Sequence, residues 1–277
     1  MKSAIFSDSY FQVSGEGFSH QATQLVLCTG GLSYPSSGSD GVGYTIAKSF
    51  GHHFIETSPA LTPLTTSDPD WKALSGLSLP VSLTFFSNGK KEIFYTGAFL
   101  FTHFGFSGPV ALNISRHWIR ASKEFPKKIE INFLPAEQED KFREQLKKSR
   151  EDKPIRAVKN ILTKILPARL IETVFSKLKI SADLKTNQLA RETRESIIQF
   201  LFHHELPVNG AIGYTKAEVT AGGIDLREVN SKTLESELRP GLFFAGEILD
   251  VDGRIGGFNF QWAWSSGFVV GSHLARQ

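Results

Sequence analysis

Leu27-Cys28-Thr29-Gly30-Gly31 is an apolar stretch that ends in glycines, and Gly246-Glu247-Ile248-Leu249-Asp250 runs on to Gly256-Gly257-Phe258-Asn259 and a predicted helix. Glycine lets a backbone approach a ligand closely, and the N-terminus of a helix favours anionic groups. Either glycine cluster alone is also typical of a tight turn. Together they predict two neighbouring strand ends that form the halves of one dinucleotide site.

The composition is that of an ordinary globular protein. The chain has 277 residues, 40% of them hydrophobic, which suffices for about two domains. The net charge is +3, but residues 116–200 carry 20 Lys and Arg against 12 Asp and Glu. Because both signs alternate there at helical spacing, we predict a solvated helical surface and do not expect nucleic acid to bind it.

Cysteine and histidine usage excludes several kinds of site. The single cysteine, Cys28, rules out an internal disulfide and a multi-cysteine metal site, and its apolar neighbours predict a buried thiol. No histidine has metal-ligand spacing, so no metal site is expected. No apolar run is long enough for secretion or for crossing a membrane, which favours a cytoplasmic protein without membrane contact.

The hydrophobic period divides the chain into three parts. Residues 1–58 and 211–277 have an α/β pattern, residues 59–135 change to the period of two typical of antiparallel sheet, and residues 136–210 are mainly helical. We therefore predict an α/β, Rossmann-like domain interrupted by a β-barrel and a helical subdomain with a return strand.

Several individual elements follow from the same pattern. Asn88-Gly89 predicts a type I′ hairpin. Pro154 suits the first turn of a helix that continues with apolar residues to Ile165. A strand is expected over Tyr214–Val219, and the chain closes on a helix from about Phe260 to Gly271.

Five strings occur in an order that resembles one known family: Cys28–Tyr44, Pro59–Leu64, Phe101–Pro109, Thr220–Ile224 and Gly246–Trp264. They are similar to bacterial NAD(P)/FAD-dependent oxidoreductases, a family that includes aminoacetone oxidase and bile-acid-reductase-type flavoproteins. The resemblance covers nearly the whole chain. It implies a flavin domain of the glutathione-reductase type, with the barrel and helical subdomain inserted into it.

The resemblance also implies which residues hold the cofactor. Glu247 matches an acidic position that accepts hydrogen bonds from the ribitol, and Gly256 to Asn259 match the turn beneath the isoalloxazine ring. The implied FAD-binding residues are Thr29, Gly30, Gly31, Gly246, Glu247, Asp252, Gly256, Gly257, Phe258, Asn259 and Gln261.

The catalytic residue is less clearly indicated. His103 lies in a glycine-rich turn with Gly105 and Gly108, and a histidine there could move a proton on the substrate side of the flavin. The alternative is a histidine that is hydrogen-bonded to fix the turn. Flavin chemistry itself needs no protein nucleophile.

One family feature is missing from the sequence. Family members carry a Gly-x-Gly-x-x-Gly and an acidic residue for the adenosine ribose, and neither precedes Leu27 here. We expect the C-terminal portion of an FAD-dependent oxidoreductase that transfers hydride between a small organic substrate and flavin, with NAD(P)H as a possible donor. Three explanations remain open: the chain is a fragment of a longer protein, it is one half of a split gene whose partner chain supplies the missing segment, or it is a product with altered or lost flavin binding. Little activity is expected from this chain alone. The alternative is a non-enzymatic interaction module with a vestigial flavin domain.

Overall fold

The computed structural model describes residues 2–151 and 154–276. Two compact units are present, one formed by residues 1–62 with 212–277 and the other by residues 63–211. The strands are β1 Ser3–Ser7, β2 Tyr10–Gly15, β3 Phe18–Ala22, β4 Leu25–Leu27, β5 Phe54–Ala60, β6 Leu64–Thr65, β7 Ser78–Ser87, β8 Lys90–Thr102, β9 Gly105–Ser107, β10 Lys127–Asn132, β11 His204–Glu205, β12 Gly210–Ala211, β13 Val219–Ile224 and β14 Leu242–Phe244. The α-helices are α1 Val42–Ser49, α2 Pro69–Ala73, α3 Pro109–Arg120, α4 Glu139–Lys148, α5 Val158–Leu162, α6 Ala168–Lys177, α7 Arg191–His203 and α8 Phe258–Leu274.

The first unit contains three small sheets. β1, β2 and β3 form an antiparallel meander, β13 pairs antiparallel with β5, and β14 pairs parallel with β4. The parallel pair brings Leu27 opposite Phe244, and both side chains are fully buried. Helices α1 and α8 belong to the same unit, and Ile46 and Val270 contribute to its core. This is an α/β arrangement, as the sequence predicts.

The second unit is built on a seven-stranded antiparallel sheet with the order β11-β10-β7-β8-β9-β6-β12. Among the described residues no ladder joins β11 to β12, so the predicted barrel is not closed by hydrogen bonds. Only residues 206–209 separate these edge strands, and the five Cα–Cα steps from Glu205 to Gly210 reach about 17 Å. Seven strands laid flat would place the edges about 29 Å apart. The sheet must therefore curl, but its two very short edge strands, β11 and β12, are not hydrogen-bonded to each other.

The hairpin and the core of this unit follow from its sequence. Asn88 and Gly89 both have positive φ between β7 and β8, which confirms the predicted turn. Trp71 is 1% exposed and stacks on Phe101 and Phe133, with ring centroids 5.7 and 6.1 Å apart. A single aromatic cluster therefore joins α2 to the sheet.

Several predicted elements were wrong in detail. The helix expected from Pro154 is reduced to α5, because Ile155 and Ile165 are 52% and 44% exposed and give it no buried face at its ends. The strand expected over Tyr214–Val219 begins only at Val219. Helix α3 lies inside the stretch predicted to be all strand.

Cys28 is exposed, so the predicted buried thiol was wrong. It follows the last residue of β4, a strand that pairs with only one described neighbour, β14. No helix among the described residues has both the length and the hydrophobicity needed to cross a membrane.

Candidate functional site

The ends of β4 and β14 bring the two glycine-containing stretches together, which confirms their predicted adjacency. The parallel ladder continues one step beyond the strands, where the backbone N–H of Ala245 donates to the carbonyl oxygen of Leu27 at 3.1 Å. Residues 28–31 and 246–247 therefore leave the same edge of the sheet side by side. This carboxyl edge is where ligands bind in open α/β sheets.

Thr220, near the start of β13, connects these two loops. Its hydroxyl oxygen accepts hydrogen bonds from the backbone N–H groups of Leu32 and Ser33, at 2.8 and 3.0 Å. Its own backbone N–H donates to Oε1 of Glu247 at 2.7 Å. Thr220 is completely buried, so one side chain and one amide fix both loops in place.

Two glycines make this close approach possible. A methyl group at Gly31 would lie 2.4 Å from Oγ1 of Thr220 and 2.7 Å from Oε1 of Glu247. A methyl group at Gly43, in α1, would lie 2.0 Å from Oγ1 of Thr29. Both contacts are far shorter than van der Waals separation, so neither position has room for a side chain.

Glu247 is the acidic group at the centre of the site. Burial raises the pKa of its carboxyl group, the hydrogen bonds from Thr220 lower it, and the nearby Asp252 raises it, with a net rise. The carboxylate keeps one oxygen against Thr220, which leaves the other oxygen able to accept a ligand hydroxyl.

The turn that leads into α8 is held by side chains of that helix. The amide of Asn259 bridges Gly253, accepting from its N–H at 2.7 Å and donating to its carbonyl at 3.1 Å. The indole N–H of Trp262 donates to the carbonyl of Gly246 at 3.0 Å, and the Ser266 hydroxyl accepts from the Gly246 N–H at 2.9 Å. These four contacts attach Gly253 and Gly246 to α8.

A cavity of about 640 Å³ opens beside this turn, within the first unit. Its lining combines apolar and aromatic surface with two carboxylates and one guanidinium. The lining residues are Tyr34, Leu61, Ala217, Glu218, Val219, Glu247, Val251, Arg254, Ile255, Gly256, Gly257, Asn259, Phe260, Trp262 and Ala263. A cavity of this size and chemistry suits a small organic ligand or a cofactor ring.

The bare backbone around the cavity fits a flavin. Gly246 and Gly257 have positive φ values of 79° and 88°, and nothing lies within 4 Å of the position a side chain would take at either residue. The first backbone N–H groups of α8 have no acceptor within the helix, which favours an anionic or carbonyl oxygen there. Open glycines, free amide donors and a carboxylate are the groups a ribityl-isoalloxazine needs.

The structure separates the predicted cofactor residues into two groups. Glu247, Gly256, Gly257 and Asn259 line the cavity. The other predicted cofactor residues lie in the adjoining loops or in α8 and do not line the cavity: Thr29, Gly30, Gly31, Gly246, Asp252, Phe258 and Gln261. Their binding roles stay predictions.

His103 lies in the other unit. It is exposed in the turn between β8 and β9, and its ring packs edge-on against Phe104 at 4.9 Å. Its catalytic role stays a prediction.

Thr220 and the aromatic lining residues were missed as site residues. Thr220 belongs to one of the strings that carry the family resemblance, yet nothing local marks it, because its partners lie far away in the sequence. Trp262 lines the cavity and donates its indole N–H to the carbonyl of Gly246, so it has a more specific role than packing. No group of three metal-ligating side chains is found within residues 2–151 and 154–276.

A family model described as the HI0933-like protein barrel and H2TH domain matches residues 58–219. That match covers more than half of the chain, so the protein belongs to the HI0933-like family. The matched range includes the curled sheet and the helices of the second unit.

Three curated relatives extend the match to nearly the whole chain. It is 38% identical over 259 residues to the ribosomal RNA dihydrouridine synthase of Haemophilus influenzae, covering 93% of this chain and 61% of that protein. It is 37% identical over 267 residues to the Escherichia coli protein of the same name, covering 95% and 64%. It is 30% identical over 268 residues to the 3-dehydro-bile acid delta(4,6)-reductase of Clostridium scindens, covering 96% and 66%. The chain thus spans slightly less than two thirds of each relative.

Proposed function

We propose that this chain forms part of an FAD-dependent reductase that saturates a carbon–carbon double bond, with a uridine base of ribosomal RNA as the substrate. The observation that carries the proposal is the cluster in which Gly31, Thr220 and Glu247 meet at the carboxyl edge of β4 and β14. That cluster stands beside a cavity large enough for a ring system.

The residues named here would bind the flavin, and none of them is assigned to the reacting double bond of the substrate. Glu247 would accept from ribityl hydroxyls, and the amides at the start of α8 would donate to an acceptor on the ring or chain. FAD, when bound and reduced, would supply the hydride, and NAD(P)H would be the hydride donor that reduces it again. Trp262 and Asn259 would keep the supporting turns rigid and exclude water from the ring.

The names of the relatives support one reaction class. Dihydrouridine differs from uridine by two hydrogens across a ring double bond, and a delta(4,6)-reductase acts on double bonds of a steroid. In both cases one hydride and one proton add to a carbon–carbon double bond polarised by a carbonyl group. A flavin site of one kind would therefore suit both reactions.

Ribosomal RNA is favoured as the substrate because the two relatives at 38% and 37% identity both carry that name. A small organic substrate is the second candidate, supported by the relative at 30% identity. This proposal departs from our expectation that nucleic acid would not bind.

We also propose that a further polypeptide packs on the outer face of α8. Phe260, Trp264 and Phe268 recur every four residues and are 75%, 77% and 75% exposed. Such a stripe is a typical protein contact surface. A segment carrying the pyrophosphate cradle, either in the same polypeptide or in a partner chain, is the occupant that the flavin proposal requires.

Deletion of the gene tests the proposal in the source organism. Nucleoside mass spectrometry of ribosomal RNA should show loss of dihydrouridine, recovery with the unchanged gene, and no recovery with Gly31→Val. Unchanged dihydrouridine in the deletion strain would contradict the RNA substrate. A normal level restored by Gly31→Val would contradict a flavin site at Gly31.

A further inference from the structure

Two exposed side chains of the cavity beside α8 have no role in the flavin proposal. Arg254 and Tyr34 both line this cavity and are both exposed to solvent. Glu247 and the glycines at the start of α8 line it too, and these are the groups proposed to bind the flavin. Arg254 and Tyr34 are therefore available to a second ligand.

The positive charge of Arg254 is not neutralised by a carboxylate. Glu218 and Glu247 are the two carboxylates of the lining, yet within residues 2–151 and 154–276 neither of them forms an ion pair with Arg254. Instead the guanidinium carbon lies 5.0 Å from the ring centroid of Phe258. Because an aromatic ring carries no net charge, this contact positions the guanidinium and leaves its charge available to an anion.

The backbone on which Arg254 stands is also held in place. The amide of Asn259 bridges the N–H and the carbonyl of Gly253, at 2.7 and 3.1 Å. A methyl group at Gly253 would lie 2.8 Å from Cβ of Phe258, so the turn is packed closely against α8. Arg254 is thus supported at its backbone and at its head group, and a guanidinium positioned in advance loses less conformational freedom on binding.

Tyr34 has a strained backbone that presents its ring to the cavity. Its φ and ψ are 55° and 61°, in the left-handed region that a tyrosine rarely occupies. Its N–H donates to the carbonyl of Tyr214 at 3.0 Å, and its carbonyl accepts from the N–H and the hydroxyl of Ser37, both at 2.8 Å. These contacts maintain the conformation while the Tyr34 side chain stays 58% exposed. Strain held in this way is typical of ligand sites.

An exposed ring and an available guanidinium in one cavity suit a ligand that has both a flat ring and an anionic group. A tyrosine ring stacks on a nucleobase, and a guanidinium binds phosphate through paired N–H donors. Glu218 and Glu247 repel a phosphate, which favours its placement at Arg254. A purely apolar ligand would make no use of this charge, whereas a nucleoside phosphate matches both groups.

We propose that Arg254 and Tyr34 form a nucleotide subsite for the uridine of the substrate, with Arg254 on its phosphate and the Tyr34 ring stacked on its base. The inference rests on the proposed function, because it names the residues that recognise the substrate in the same cavity. A phosphate beside a flat ring is also present in NAD(P)H, so the test compares these two sources.

The test measures the dissociation constants of uridine 5′-monophosphate and of uridine, which lacks the phosphate, by isothermal titration calorimetry of the purified chain. The variant is Arg254→Gln. The control is Arg276→Gln, which removes the same charge from another exposed arginine of the same unit. Circular dichroism checks that both variants are folded.

We expect the unchanged protein to bind the monophosphate at least about tenfold more tightly than uridine. Arg254→Gln should abolish this preference, Arg254→Lys should keep part of it, and Arg276→Gln should leave it intact. A preference that survives in Arg254→Gln would overturn the proposal. Equal binding of the two ligands by the unchanged protein, or binding of neither, would overturn it as well.

A second comparison tests the stacking of the base on Tyr34. Tyr34→Leu should weaken the binding of uridine and of its monophosphate by the same factor, about fivefold or more, because stacking involves only the base. Tyr34→Phe should keep the affinity, and so should Tyr10→Leu at another exposed tyrosine of the same unit. Equal losses in Tyr34→Leu and Tyr10→Leu, or in Tyr34→Leu and Tyr34→Phe, would contradict stacking.

Nicotinamide mononucleotide distinguishes the two sources of the nucleoside phosphate. Weaker binding of this ligand than of uridine 5′-monophosphate is expected from the proposal. Tighter binding with the same dependence on Arg254 would assign the nucleotide subsite to the hydride donor and overturn the uridine assignment.

These titrations require no flavin, so their outcome is separate from that of the proposed function. Binding of the monophosphate that depends on Arg254, in a chain that fails to bind FAD, would leave the nucleotide subsite standing and remove the cofactor. FAD binding without any effect of Arg254→Gln on nucleotide affinity would remove this inference alone.

Discussion

Gly31 and Thr220 are in direct contact, and a methyl group at Gly31 would lie 2.4 Å from the Thr220 hydroxyl oxygen. The contact joins the loop after β4 to the start of β13, and Glu247 meets both residues from the loop after β14. Three segments distant in the sequence therefore converge on one point without space for another atom. The candidate site depends on this convergence.

Gly31→Ala should destabilise the first unit by about 1–3 kcal/mol, because the added methyl forces Thr220 or Glu247 to move. Gly267→Ala is the matched control, since Gly267 lies in α8 with nothing within 4 Å of the new methyl group. That control should be neutral or stabilise by about 0.5–1 kcal/mol through helix propensity. Urea unfolding measures both, and equal stability of the two variants would contradict the tight contact.

Thr220→Val should reduce the free energy of unfolding more than Thr220→Ser does. Valine has nearly the shape of threonine but leaves the N–H groups of Leu32 and Ser33 without their acceptor, at about 1–3 kcal/mol for each buried group. Serine keeps the oxygen and loses only a methyl group. Chemical denaturation of the two variants checks this order, and the reverse order would show that packing outweighs the hydrogen bonds.

The stability of the second unit should fall in acid through His204. Burial is the main cause that lowers its pKa to about 4; Lys177 lowers it further and Asp68 opposes this. Its ring stacks on Phe200 with centroids 4.0 Å apart. His204 of the unfolded chain binds a proton near pH 6.5, whereas in the folded chain it stays neutral down to about pH 4. The contribution of neutral His204 to folding stability is therefore complete above pH 6.5 and is lost as the pH falls from 6.5 to 4.

Comparison with His204→Phe isolates this effect. The unchanged protein should lose up to about 3 kcal/mol between pH 6.5 and pH 4 in excess of the variant. His203→Gln is a control at the neighbouring, more exposed histidine and should keep the excess loss. Parallel pH profiles for His204→Phe and the unchanged protein would show that His204 titrates normally.

The exposed stripe on α8 should make the purified chain self-associate. Trp264→Glu with Phe268→Glu should reduce self-association, because both side chains are more than 70% exposed and apolar. Ile155→Glu with Ile165→Glu adds the same charge at exposed apolar positions in the second unit. Sedimentation velocity should show a smaller species only for the α8 variant, and an equal effect of both pairs would remove α8 as a contact surface.

Local patterns predicted much of this fold, and distant contacts explain what they missed. The Asn88-Gly89 turn and the adjacency of the loops after β4 and β14 follow from turn chemistry and from glycine placement at strand ends. Thr220 was missed because its hydrogen-bonding role exists only once the chain has folded. Helix α3 was missed because the strand period around it extended the prediction across Pro109, a residue that suits a helix start.

Equilibrium titration of the purified chain with FAD, followed by quenching of tryptophan fluorescence, tests the central claim most directly, since Trp262 lines the cavity. Without a pyrophosphate cradle we predict saturable binding with a Kd of about 2 μM. Gly31→Ala should weaken it at least about tenfold, while Gly267→Ala should leave it unchanged. No saturable binding, or equal binding by Gly31→Ala and the unchanged protein, would contradict a flavin site at the junction of Gly31, Thr220 and Glu247.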